Sequence, residues 1–380
     1  SNTAANQFSK TYTNTTQSAS FNTFQLIVLT NNGCRDTLSE VVEVHPFISV
    51  DFTSDTVGCH PYPVQFSNQS VGATSYNWAF GDGNTSAATN PQNIYQNTTT
   101  ANQTFVSQLI GTSTEGCSDT ARQNILVYPK PTAAFVLDTN KGCQPLDISV
   151  DNNSVIADSL IWTFGDGSNS NTAANQFSKV YTNTSQSSLF HTFQLIVLTN
   201  NGCRDTLSEV VEVHPFIQAA FSSDTVGCSP FRIPFTNQSV GASNYAWDFD
   251  DGGTSPAPNP RHTFVNTGTN NQTFAVNLIA TSPQSCSDTV TKNILIYPKP
   301  TAIFSVDDSA GCHPLPVSFT NQSTLRDSCV WTYGDGNGRN DCSPNFTHTY
   351  NNSTSFFPVD YPAQLIIITD NGCRDTARKN

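Results

Sequence analysis

Trp78-Ala79-Phe80-Gly81-Asp82-Gly83 returns three times: as Trp162-Thr163-Phe164-Gly165-Asp166-Gly167, Trp247-Asp248-Phe249-Asp250-Asp251-Gly252 and Trp331-Thr332-Tyr333-Gly334-Asp335-Gly336. Two aromatics two residues apart stand on one face of a strand, and the residues after them suit a tight turn with positive φ. Upstream of the first copy, alternating Ile48, Val50 and Phe52 lead to a Gly58-Cys59-His60-Pro61 turn, then to Val64, Phe66 and Asn68-Gln69-Ser70. Downstream, an apolar strand of the Phe193–Leu198 kind ends at Asn201-Gly202-Cys203-Arg204-Asp205-Thr206, and a last strand carrying Val210, Val211 and Val213 runs into Pro215. Six or seven short strands punctuated about every ten residues predict an all-β chain of immunoglobulin-like sandwiches.

The pattern is periodic. Ser1–Ile48 recurs nearly unchanged as Ser170–Ile217, a shift of 169 residues that also carries Cys59 to Cys228, Cys117 to Cys286 and Cys143 to Cys312. Each period holds two related units of about 84 residues. The expected division is 1–46 (the C-terminal half of a unit), 47–131, 132–215, 216–300, and 301–380, which lacks most of its last strand. The chain has no Met, so it reads as a processed chain or a window of a longer repetitive one.

Composition narrows the class. Lys and Arg total 16 against 29 Asp and Glu, a formal charge of −13, which repels phosphate backbones and argues against a nucleic-acid partner. Charged residues make up only 12% and Ser plus Thr 89 of 380, so the surface is expected to be uncharged hydroxyl and amide. No apolar run is long enough for a membrane-spanning helix, and this segment is expected not to insert in a membrane.

The Trp-x-Phe-Gly-Asp-Gly segments closely resemble the signature of PKD domains, with His348-Thr349-Tyr350 keeping part of the strand lead-in and Asn93-Ile94-Tyr95 a weaker form of it. The cysteines and the Asn-Gly-Cys-Arg-Asp-Thr segment resemble PKD arrays in surface proteins of the Bacteroidota, including gliding-motility adhesins. The resemblance implies immunoglobulin-like sandwiches that space, adhere or present rather than catalyse, on a bacterial cell surface or outside the cell.

Eleven cysteines in an exported-looking β chain point to disulfides rather than zinc, since there is no CxxC or clustered His. Each unit has one cysteine in its first turn and one after its late apolar strand. The expected pairs close each unit on itself: Cys59–Cys117, Cys143–Cys203, Cys228–Cys286 and Cys312–Cys373. Cys329–Cys342 would bridge the last Gly-Asp-Gly hairpin, leaving Cys34 over.

Other residues invite chemistry. Asp82, Asp166, Asp251 and Asp335 are read as turn residues that bond their own backbone. Asp248, Asp250 and Asp251 could gather oxygens for calcium, but one unit of four has that cluster, and no metal or cofactor is expected. Trp78, Trp162, Trp247 and Trp331 are read as core rather than sugar platforms. His45, His60 and His313 lie beside prolines with no recurring Ser or Cys partner, so no triad is assembled and no enzyme is expected. Asp-Ser/Thr-small sites make Thr37, Thr56, Thr120, Ser159, Thr206, Thr225, Thr289, Ser309 and Thr376 candidate O-glycosylation acceptors; the competing reading is that Asp-Thr closes a turn.

Units join through Tyr128-Pro129-Lys130-Pro131, Tyr297-Pro298-Lys299-Pro300, His45-Pro46 and His214-Pro215. Fixed φ in such short joints predicts a stiff rod. The expected function is a non-enzymatic structural or adhesive segment of a long extracellular filament. Its partners would be further repeats in a longer chain, lateral or end-to-end copies, and a surface or polysaccharide ligand at an unseen tip. A polysaccharide-binding array, a donor-strand fibre subunit and a spacer in a secreted hydrolase stay open as alternatives.

Overall fold

Alternation of apolar and polar residues becomes hydrogen-bonded ladders with one face inward. The computed structural model describes residues 7–355 and 357–380; residues 1–6 of the first sequence repeat lie outside them. Among the described residues the regular structure is all strand, and no helix is long and apolar enough to cross a membrane. The chain forms two compact units. One takes in the chain up to Asn140, Asp147–Lys179 and His191–Val211; the other takes in Lys141–Leu146, Val180–Phe190 and Glu212–Asn380.

In the first unit, Gln103–Thr112 pairs antiparallel with Ser118–Tyr128, from Gln103 opposite Val127 to Thr112 opposite Ser118. The intervening turn takes Gly116 at φ 83°, the left-handed region that glycine enters without strain. Ser75–Ala79 lies on the other side of Gln103–Thr112, and Val57–Cys59 runs parallel to the end of Ser118–Tyr128. Two short ladders, Phe52–Thr53 with Ser67–Asn68 and Tyr62–Gln65 with Gln92–Tyr95, supply the second layer. Phe52, Phe66, Trp78, Tyr95, Leu109, Ile125 and Val127 form the core between them. Trp162 occupies the equivalent place in segment 132–215, edge-on to Phe135 and Phe193.

The second unit repeats the arrangement. Val226–Cys228, Ser287–Tyr297, Gln272–Thr281, Asn244–Asp248 and Thr254–Ser255 form one sheet in that order, over a core around Trp247. In segment 301–380, Phe304–Val306, Leu315–Asn321 and Asn345–Tyr350 form one sheet. Gly338–Arg339, Ser328–Thr332, Ala363–Ile368 and Arg374–Lys379 form the other, and Trp331 is buried between them. All four tryptophans are at most 2% exposed, which places them in the core as the sequence predicts.

Position, not sequence alone, decides burial. Leu26, Val28 and Val42, on the hairpin of Ser20–Leu29 with Arg35–Val44, are 47%, 55% and 38% exposed. Leu195, Val197 and Val211 stand in an almost identical sequence and are fully buried. Among the described residues, only the latter have a second layer of strands packed over them.

Candidate functional site

The cysteines overturn the expected closure of each unit on itself. The bonds are Cys59–Cys203, Cys143–Cys286 and Cys228–Cys373, with sequence separations of 144, 143 and 145. Each joins the first-turn cysteine of one segment to the late cysteine of the next. Cys59–Cys117, Cys143–Cys203, Cys228–Cys286 and Cys312–Cys373 do not form.

Strand geometry gives the reason. Cys59 lies in register with Tyr128 at the end of Ser118–Tyr128, while Cys117 precedes the start of that same strand. Eleven strand residues separate the two by roughly 35 Å at about 3.3 Å per residue, and a disulfide requires Cα atoms within about 7 Å. Cys228 opposite Tyr297 and Cys143 opposite His214 repeat the arrangement. The first-turn cysteine is thus carried to the pole where the chain leaves for the next segment, whose late cysteine waits there. Cys329–Cys342 forms as expected. Cys34, which the expected pairing left over, forms no bond among the described residues, and neither do Cys117 and Cys312.

The joints carry further ties. Lys130 Nζ lies 2.8 Å from Asp205, and Lys299 Nζ 3.2 Å from Asp375. The same Asp205 and Asp375 accept hydrogen bonds from the backbone N–H groups of Ala133 and Ala302, at 2.9 and 2.8 Å. Asp119 and Asp288 do so for Val50 and Ala219. Those backbone bonds hold the Asp119 carboxyl below the usual carboxylate range. Burial would raise Asp205 and Asp375, but the lysine and N–H bonds outweigh it and both are lowered. The aspartate of Cys-x-Asp-Thr therefore clamps the first residues of its own segment. The sequence marked this residue only as part of a turn or glycosylation signal.

The Gly-Asp-Gly carboxylates act on their turns as expected. Asp82, Asp166, Asp251 and Asp335 accept from the N–H two residues on, at 2.9 to 3.0 Å. Asp250 replaces the first glycine and still takes φ 65°. Each carboxylate also meets a second side chain: Asn93 for Asp82, Lys179 for Asp166, His262 for Asp251 and His348 for Asp335, at 2.6 to 2.7 Å. His262 and His348 stack on Phe249 and Tyr333, each with centroids 4.1 Å apart. Asp248, Asp250 and Asp251 do not converge: they accept from the N–H groups of Asp250, Ala275 and Gly253 respectively.

His60 and His313 cap their loops, with Nδ1 accepting from the N–H of Asn97 and Asn352. Asn97 and Asn183, both buried, spend their amides on backbone carbonyls such as those of Val127 and Val213. Thr37, Thr120, Ser159, Thr206, Thr225, Thr289, Ser309 and Thr376 are exposed, and Thr56 is half-buried. Among the described residues, one group of side chains has metal-ligating atoms gathered closely: Cys143, His214 and Cys286. With two of its sulfurs joined to each other, it offers a metal one imidazole.

Residues 212–296 match the PKD domain family. No curated protein sequence matches the chain significantly. Solved structures similar to the chain include the ICAM-5 D1–D4 ectodomain fragment, at 9% identity and TM-score 0.42, covering 87% of this chain and 98% of that one. A tetra-tandem repeat in the extending region of a large adhesion protein is 14% identical with TM-score 0.27, covering 87% and 97%. A Ca²⁺-stabilised adhesin of an Antarctic bacterium that binds ice is 11% identical with TM-score 0.26, again covering 87% and 97%.

Proposed function

We propose that this chain is a non-enzymatic, load-bearing segment of an extracellular or cell-surface filament, built of PKD-like modules at 47–131, 132–215, 216–300 and 301–380 with part of another at 1–46. The observation that carries this reading is the series of three disulfides in one register, each fastening a module to its successor instead of sealing it. A chain under tension gains a covalent route past each folded module. The Lys130–Asp205 and Lys299–Asp375 pairs at the Pro-Lys-Pro joints and the fixed φ of proline support a stiff connection. Disulfides and a sparsely charged surface support a location outside the cell. The exposed Asp-Thr and Asp-Ser hydroxyls are O-glycan acceptors in this reading. The resemblance to Bacteroidota surface arrays supports an adhesive or motility-coupled tip as the load the filament carries.

Immunogold electron microscopy of the producing cells, with antibodies raised to this chain, tests the proposal. Label spaced along filaments that leave the cell surface is expected. Label confined to the cell interior, or to a soluble secreted hydrolase, overturns it.

A further inference from the structure

We propose that the Cys143–Cys286 bond is a thiol-exchange site, at which a low-molecular-weight thiol attacks Cys143 and His214 receives the departing Cys286 sulfur. The three intermodule bonds share one register but differ at one neighbour. His214 stands opposite Cys143, where Tyr128 and Tyr297 stand opposite Cys59 and Cys228. The His214 Nδ1 lies 3.6 Å from the Cys286 sulfur, close enough to donate a hydrogen bond as that sulfur becomes a thiolate. A stabilised leaving thiolate departs faster.

A second difference points the same way. Cys143 is exposed, whereas Cys59 and Cys228 are half-buried. The late partners Cys203, Cys286 and Cys373 are all buried. An incoming thiolate therefore reaches the first-turn sulfur, and reaches it most readily at Cys143.

The exchange is balanced without an external oxidant. A thiolate such as that of glutathione forms a new S–S bond to Cys143 as the Cys143–Cys286 bond breaks. The electron pair leaves on Cys286, and His214 in the tautomer that carries its proton on Nδ1 donates a hydrogen bond to it. The product is a mixed disulfide on Cys143 and a free Cys286. A second glutathione thiolate can release Cys143 as thiolate and leave as oxidised glutathione.

The three bonds serve as controls for one another in a single molecule. The 380-residue chain carrying Cys34→Ser, Cys117→Ser and Cys312→Ser would be treated with reduced glutathione. It would then be quenched by alkylation and mapped by peptide mass spectrometry over time. Cys143–Cys286 is expected to open roughly tenfold faster than Cys59–Cys203 and Cys228–Cys373, with glutathione on Cys143. His214→Tyr installs the residue found at the two sister joints and is expected to cut that advantage to what the exposure of Cys143 alone gives. Circular dichroism checks that this variant keeps its strands. Equal opening of all three bonds, glutathione on Cys286, or a preference undiminished in His214→Tyr each overturns the proposal.

Discussion

Asp166 shows how one turn carboxylate is tuned. Burial alone would raise its pKa. The Lys179 ammonium 2.6 Å away and the two hydrogen bonds from Ser168 outweigh burial and bring it down to about 2. The folded-state value lies below the ordinary 3.8, so the stabilisation is fully present above pH 3.8 and is lost as pH falls toward 2. The pair is partly exposed, which limits its worth to about 1 kcal/mol. Asp166→Asn is expected to flatten the stability profile between those pH values, measured by urea unfolding at a series of pH. An unchanged acid limb would show that the pair contributes nothing. Asn183 poses a different case, fully buried with its amide donating to Ser187, Val213 and His214 carbonyls. Asn183→Ala leaves those carbonyls unmet and is expected to cost about 2 kcal/mol, read from the urea midpoint. A loss below about 0.5 kcal/mol would mean water replaces the amide.

At the scale of elements, the strands and the buried tryptophans were legible because period-two alternation and turn residues are local signals. Trp162 and Phe164 declare their strand, and Gly165-Asp166-Gly167 its end. The cysteine pairing was not legible. Spacing along the chain says nothing of the parallel pairing that carries Cys59 to the far end of Ser118–Tyr128, because that pairing joins residues far apart in sequence. For the same reason Lys130 read only as part of a linker, and the clamp from Asp205 to Ala133 was invisible. The two kinds of disulfide should differ in weight. Cys59–Cys203 spans 144 residues and Cys329–Cys342 spans 13. Chain entropy assigns them about 5 and about 3 kcal/mol. Double Cys→Ser variants of each pair, compared by calorimetry, are expected to keep that order. The reverse order would mean that local strain or packing, rather than loop length, sets their contribution.

For the whole molecule, the three long-range disulfides change what an extending force can reach. Pulled from its two ends, the oxidised chain carries load through residues 1–59, across to 203–228, and across again to 373–380. That covalent path holds about 90 residues and extends to roughly 300 Å, against roughly 1,300 Å for the reduced chain, at about 3.4 Å per residue. Cys143–Cys286 lies off that path while its neighbours hold, and becomes part of it when one opens. With Cys203→Ser the route runs from residue 1 to 143, back from 286 to 228 and on from 373, about 210 residues and roughly 700 Å. Single-molecule pulling of the three forms should therefore give three distinct limits in that ratio. An oxidised chain that stretches as far as the reduced one would show that the bonds do not act in series. The intermediate limit of the Cys203→Ser chain depends on the middle bond together with Cys228–Cys373. Adding Cys286→Ser is expected to lengthen that limit by about 90 Å, since the path then runs from residue 1 to 228. The middle bond therefore adds little to the limit of extension, so a thiol-reactive bond at that position leaves the chain's reach under tension nearly intact.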